Sequence, residues 1–466
     1  KNIPDEYVIS VEDVEKALFN IKIDKAGGPD DIPNWLIRDL CEQFAGPLCA
    51  IFNASVREGY IPMLWKSAYV TPIPKVPHPV NIEKDLRPIS LTPVLMKILE
   101  SFIGKWLWDC VAKNIHHNQF GGIKGSSTTH ALIEMVHLWH TALHEKKVTR
   151  VVLLDFSKAF DRVNHNILIK KLQDMHVPKV IIRWIGNFLS NRQQRVKLSN
   201  DLSDWITMPA GVPQGSYLGP LLFIILVNDL NLPNETSNLF KYIDDCTASE
   251  SLTAVEDSVM QDNVDHVNEW SHENDATLNT GKCKELVIKP KGNDSILPNI
   301  KVGSEEIIQV KSAKLLGITI SDDLKWNTHI DNICAKASSR IYYLRVLKRS
   351  GIKADDLKVY YVSVIRPVLE YCCQVWHPSI ANSNPKIDQI ESIQRRAAKI
   401  ILNCDSGTEA VKALNLPSLY SRREKICRKY FLEMKNTNHK LHHLLPDRTN
   451  HNYNTRNNNM LQLPKC

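Results

Sequence analysis

The chain has no long hydrophobic run. Its longest, "LLFIILV" at 221–227, falls far short of the roughly 20 apolar residues a membrane-spanning helix needs, so no membrane partner is expected. No signal-peptide pattern opens the chain. It starts with Lys1 rather than Met, the expectation for a fragment of a longer protein. Its 11 cysteines are odd in number and lack CxxC spacing, which argues against a disulfide framework and for reduced thiols in an intracellular protein. In "YCCQVWH", Cys372, Cys373 and His377 carry metal-type donors, but adjacent cysteines chelate one tetrahedral ion poorly and no second ligand pair follows at finger-like spacing. Core packing is the expected role. Repeats and low-complexity tracts are absent, and the Asn-rich "NHNYNTRNNN" near the end reads as loose.

What is present is ordinary in amount and uneven in placement. With 43% hydrophobic and 23% charged residues, the 466-residue chain has a globular composition and a length suited to about three domains. The net charge is +7, yet residues 311–466 hold 26 Lys+Arg against 13 Asp+Glu, and residues 1–310 hold 32 against 38. A basic last third on a mildly acidic body suits a polyanion partner; a solvated basic surface is the plain alternative.

Local patterns place the elements. Ser10 and Asp13 form a capping box ahead of an amphipathic helix with Val11, Val14, Leu18 and Ile21 on one face, stopped by "AGGPDDIP". The proline-studded stretch 61–93 predicts strands and turns. "VTRVVLLDFSKAFDRVNHNILIKKLQDM" reads as a buried strand, a sharp turn and a helix, and "MPAGVPQGSYLGPLLFIILVNDL" as a Gly/Pro loop feeding a buried helix. Val255, Val259, Val267 and Trp270 mark a further amphipathic helix, "KSAKLLGITISDDLKW" a hairpin, and the chain beyond about 328 is helical. In "KIDQIESIQRRAAKIIL", apolar residues gather on one side and Arg395, Arg396 and Lys399 lie opposite. That ridge could track phosphates or be an ordinary solvated face.

Carboxylates supply the chemistry. "FKYIDDCTASE" puts Asp244 and Asp245 at the tip of a strand–turn–strand hairpin; alone, the pair reads as turn residues. "VVLLDF" brings Asp155 to the end of a second buried strand. Three such acids in a partly dry site cannot all stay ionised unless a cation neutralises them. All-oxygen donors favour Mg²⁺ or Mn²⁺, and two such ions can clamp the oxygens of a phosphoryl transfer.

"LLDFSKAFDRVNHNILIKKL", "GVPQGSYLGPLLFIILVNDL" and "KYIDDCTASE" resemble, in order, the central palm motifs of reverse transcriptases. The nearest likeness is to those of non-LTR, LINE-type, jockey-like retrotransposons. "KAGGPDDIP", "DLRPISLTPVLMKILE", "NQFGGIKGSSTTHAL", "LNTGKCKEL" and "IDQIESIQRRAAKIIL" extend the resemblance over almost the whole chain. It implies an α+β right-hand polymerase fold: fingers with an N-terminal helical extension over 1–150, a palm with an antiparallel sheet over 151–310, and a basic helical thumb and C-terminal region over 311–466. It further implies an RNA-directed DNA polymerase working on an RNA template, a DNA primer and dNTPs with two Mg²⁺ ions, Mn²⁺ being a substitute. Cytoplasmic assembly with RNA and nuclear action at the integration site would follow. The endonuclease that precedes the polymerase in such elements has no room here.

Residue by residue, Asp155, Asp244 and Asp245 match the metal-binding triad, with the Phe156 carbonyl as a further ligand. Phe160 matches the aromatic gate against a 2′-hydroxyl, Gln214 and Gly215 the loop bordering the nucleotide, Arg87 and Lys75 the triphosphate contacts, and Lys282 the donor of a proton to pyrophosphate. Ile243 stands where these elements usually carry Ala, Tyr217 replaces a smaller residue, and "GGIK" lacks the aromatic–arginine pair of many relatives. A group II intron-type maturase is the rival enzyme, and an inactive nucleic-acid-binding remnant the rival of another class.

Overall fold

The computed structural model describes residues 4–446; the Asn-rich "NHNYNTRNNN" lies outside them. Helix Val11–Phe19 opens on Ser10, whose Oγ accepts the Asp13 N–H at 3.1 Å. It ends at Asn20, ahead of "AGGPDDIP". Val14 and Leu18 are buried while Val11 is exposed.

The proline-rich stretch contains an antiparallel pair, β1 (Ser67–Pro74) and β2 (Leu86–Leu91). Prolines 72, 74 and 88 sit on this outlying pair, where a missing N–H is tolerated. β1 continues in parallel to β4 (Arg192–Leu198), which also pairs β5 (Asp201–Leu202) and β6 (Ile206–Met208).

The larger sheet is built round β3 (Val148–Leu154). Its order is β12 (Ile308–Gln309), β9 (Lys284–Ile288), β3, β8 (Asp245–Leu252), β7 (Ser237–Tyr242), and β3 is antiparallel to both neighbours. β3 is an apolar run because both its faces are covered. Val152 and Leu154 face a core shared with helices Val94–Val111 and Met260–Glu273. Val151 faces a second core formed by helix Thr128–His144, Phe240, Leu286 and the C-terminal helices. Arg150 is buried with Glu285, Nε to Oε1 at 2.7 Å, and also donates to Ser258 Oγ and the Pro298 carbonyl.

Two ribbons follow, β10 (Lys301–Val302) with β11 (Glu305–Glu306), and β13 (Ser312–Leu315) with β14 (Ile318–Ser321). The C-terminal body is helical from Asn327, with long helices Asn327–Arg349, Asn384–Leu402 and Leu419–Met434. Cys372, Cys373 and His377 are buried in it. The helix expected from Val255 starts instead at Met260. Glu250 takes both the Ser258 hydroxyl and the Val259 N–H, holding the preceding residues in a separate turn. The division expected at 150/151 falls inside β3. Among the described residues no helix is long and apolar enough to cross a membrane.

Candidate active site

The β7–β8 hairpin closes with Tyr242 opposite Asp245, leaving Ile243 and Asp244 as a two-residue turn. On the other side of β8, β3 pairs in register from Val148↔Leu252 to Leu154↔Cys246. Asp155 is the next residue of one strand and Asp245 the next of the other. Adjacent strands lie about 4.8 Å apart, so Asp155 stands beside the pair within side-chain reach.

Two of the three acids are held above the usual carboxylate range. Asp245 keeps solvent contact, yet its carboxyl is pushed up to about 6 by partial burial first, then by Asp244 and Asp155; Arg87 and Lys282 oppose the rise. Asp244 is also raised, by burial and then by Asp155, against the same two cations. Lys282 reaches Asp155, Nζ to Oδ2 at 3.0 Å. A tight turn places it: Asn279 donates its N–H to the Asp155 carbonyl at 2.7 Å and accepts the Lys282 N–H at 2.9 Å.

As placed, no three His, Cys, Asp or Glu side chains among the described residues converge enough to hold an ion. The donor set still fits a hard divalent cation in type and charge. It is all oxygen, and two of its acids remain raised despite Arg87 and Lys282.

Around the acids, Phe156 is buried and meets Trp270 edge to face at 6.1 Å. Phe160 is half-buried and stacked on Phe223 at 5.0 Å, and its carbonyl accepts the Val212 N–H at 2.8 Å. The Gln214 backbone carbonyl accepts the Ser90 N–H at 2.7 Å, and its side-chain amide donates to Asp161 Oδ1 at 3.5 Å. Gly215 has φ +126°, and a Cβ there would lie 2.5 Å from the Ser90 carbonyl oxygen, so only glycine fits. Arg87 is exposed on β2. Lys75, beyond the end of β1, donates to the Lys84 carbonyl at 3.1 Å.

Arg395, Arg396 and Lys399 sit on the Asn384–Leu402 helix, and among the described residues no hydrogen bond or ion pair joins them to the carboxylates. Arg395 turns to the Asp388 carbonyl within its own helix, and Arg396 to Ser338 Oγ on the Asn327–Arg349 helix. Sequence reading missed Glu100. Fully buried, it accepts the Tyr217 N–H at 2.7 Å and the Leu218 N–H at 3.0 Å, anchoring the loop that carries Gln214. Its only advance signal was an acid closing "VLMKILE", a stretch whose one other charge is Lys97.

The family described as "Reverse transcriptase (RNA-dependent DNA polymerase)" matches residues 73–320. The chain belongs to the reverse transcriptase family. Membership implies a right-hand polymerase fold, with which the mixed helix-and-sheet architecture agrees. Among the relatives of this chain, the "RNA-directed DNA polymerase from mobile element jockey" of Drosophila melanogaster is 28% identical over 444 residues, 91% of this chain and 47% of that protein. The "Probable RNA-directed DNA polymerase from transposon BS" of the same species is 28% identical over 88% of this chain and 46% of its own length. The chain thus spans about half the length of the curated relatives it matches. A telomerase structure from Candida tropicalis aligns over 92% of this chain and 84% of its own at 12% identity and a TM-score of 0.41.

Proposed function

We propose that this chain is the RNA-directed DNA polymerase of a jockey-like non-LTR retrotransposon, extending a DNA primer on an RNA template with dNTPs. The observation that carries the reading is the β3–β8 register, which sets Asp155 beside Asp245 and Asp244.

Asp155, Asp244, Asp245 and the Phe156 carbonyl are the groups that would hold two Mg²⁺ ions, or Mn²⁺ in their place. Such ions, when bound, supply charge stabilisation to the attacking and leaving oxygens of the nucleotidyl transfer. Arg87 meets the triphosphate with its planar fork, and Lys75 stands as a second cation for it. Lys282 carries a proton suited to the departing pyrophosphate. Gln214 and Gly215 border the incoming nucleotide, and Phe160, made rigid by its stack on Phe223, bars a 2′-hydroxyl.

Residues 1–150 act as fingers, 151–310 as palm and 311–466 as thumb and C-terminal region. Arg395, Arg396 and Lys399 belong to that basic last part, which grips template–primer duplex by its phosphates. RNA–protein assembly takes place in the cytoplasm and copying in the nucleus.

The test is extension of oligo(dT) on poly(rA) with Mg²⁺ by the purified chain, beside Asp155→Asn. Extension lost in the variant and on chelation supports the reading. Equal template binding without extension by either protein overturns it in favour of an inactive binder.

A further inference from the structure

The turn that carries Asp244 is strained and is held from outside its own hairpin. Ile243 has φ +61°, a left-handed conformation that β-branched residues rarely adopt because Cβ crowds the backbone. Its N–H is not left to solvent. Gln119, 124 residues earlier, accepts it on Oε1 at 3.2 Å and accepts the Gly121 N–H on the same atom at 3.0 Å.

Gly121 packs directly on the turn: a Cβ there would lie 2.6 Å from the Ile243 nitrogen and 2.8 Å from the Tyr242 carbonyl carbon. The segment bearing both residues runs along the free edge of β7. Lys241 donates its N–H to the Asn118 carbonyl and accepts the Phe120 N–H, each at 2.9 Å. The C-terminal region fixes the segment in turn, with Lys440 Nζ 2.6 Å from the Gln119 carbonyl and 4.1 Å from the centre of the Phe120 ring.

Gln119 is buried, and among the described residues its Nε2 has no hydrogen-bond partner. An orphaned buried donor is costly, so a side chain serving only to fill space would be better apolar. The gain lies in Oε1.

We infer that Gln119, seated against Gly121, is a positioning residue that holds Ile243 in its left-handed conformation and so fixes where Asp244 and Asp245 stand. The inference rests on the reading of those two acids as the reacting centre's ligands. Gln119 itself touches no substrate.

The experiment compares Gln119→Leu with the double variant Gln119→Leu, Ile243→Gly. The single change should speed hydrogen–deuterium exchange in the peptide spanning 240–246. It should also lower kcat for primer extension by about 10- to 100-fold, the usual effect of a misplaced reacting group, with the KM for template unchanged. Glycine takes a positive φ at no steric cost, so adding Ile243→Gly should restore most of kcat. Wild-type exchange and kcat in Gln119→Leu, or a loss that Ile243→Gly leaves untouched, overturns the inference.

Should Gln119→Leu not fold, Gly121→Ala pushes on the same turn with Gln119 intact, and full kcat there overturns the inference equally. Asp244→Asn runs alongside. If it extends normally, the carboxylate reading fails on its own. If it is dead while Gln119→Leu is fully active, only the positioning role fails.

Discussion

At pH 8, Asp244→Asn removes one of the two charges at the hairpin tip beside Asp155, and it should stabilise the fold while ending catalysis. Asp245 is displaced from 3.8 to about 6, by burial first and by the charges of Asp244 and Asp155 after it. Burial, the largest cause, remains in the variant, and solvent contact screens the charge term. The recoverable part is therefore about 0.5–1 kcal/mol, about 1–2 °C in Tm for a chain of this size.

The pH dependence has a fixed sign. A raised folded-state value means that the folded chain binds the proton more tightly between about pH 4 and 6. The penalty is absent below that window and complete above it, so the variant's advantage should fade as pH falls from 6 to 4. Melting in EDTA measures this, and extension on poly(rA)·oligo(dT) should fall at least about 100-fold. Mg²⁺ should raise the wild-type Tm by binding the folded state and the variant's by less. A variant that melts below wild type, or that still extends, would refute the reasoning.

Other perturbations address separate parts of the molecule. With Mg²⁺ held below saturation, primer extension should decline as pH is lowered through about 6, where the proton that Asp245 binds in the metal-free chain competes with the cation proposed for it; an activity profile level from pH 8 to 5 at that Mg²⁺ contradicts this. Arg150→Met strands the buried Glu285 carboxylate and should cost about 3–5 kcal/mol in urea unfolding, most of it recovered by adding Glu285→Leu. Phe160→Val should admit ribonucleotides in a competition between dNTP and rNTP, and an unchanged sugar preference would remove Phe160 from the gate.

The features legible in the sequence were those with a local period or a local signal. "VVLLDF" announced a buried strand with Asp155 at its end, and "KYIDDC" announced a hairpin tip; the register places Asp155, the residue after β3, beside that tip. The start of helix Met260–Glu273 was misread because the carboxylate that fixes it, Glu250, lies in β8 and carries no helix-cap pattern of its own. Glu100 and Gln119 were missed for a stronger reason. Each acts on backbone N–H groups more than 110 residues away, and a backbone N–H leaves no trace in the identity of the residue that bears it. The ridge of Arg395, Arg396 and Lys399 was legible as a helix face, but which neighbour each side chain would meet depends on helix packing, which the period alone does not fix.

The second core has a practical consequence. Its apolar residues come from Phe120, the Thr128–His144 helix, the underside of the large sheet and the helices after 327, so the 73–320 family segment is not a separable folding unit. Cutting the chain at 320 would bare Leu132, Met135, Trp139, Val151 and Leu286 together, a contiguous oily underside directly beneath the strand that ends in Asp155. Such a truncated piece should clump rather than work, and a change in how the last helices pack would be transmitted to β3 through direct contact.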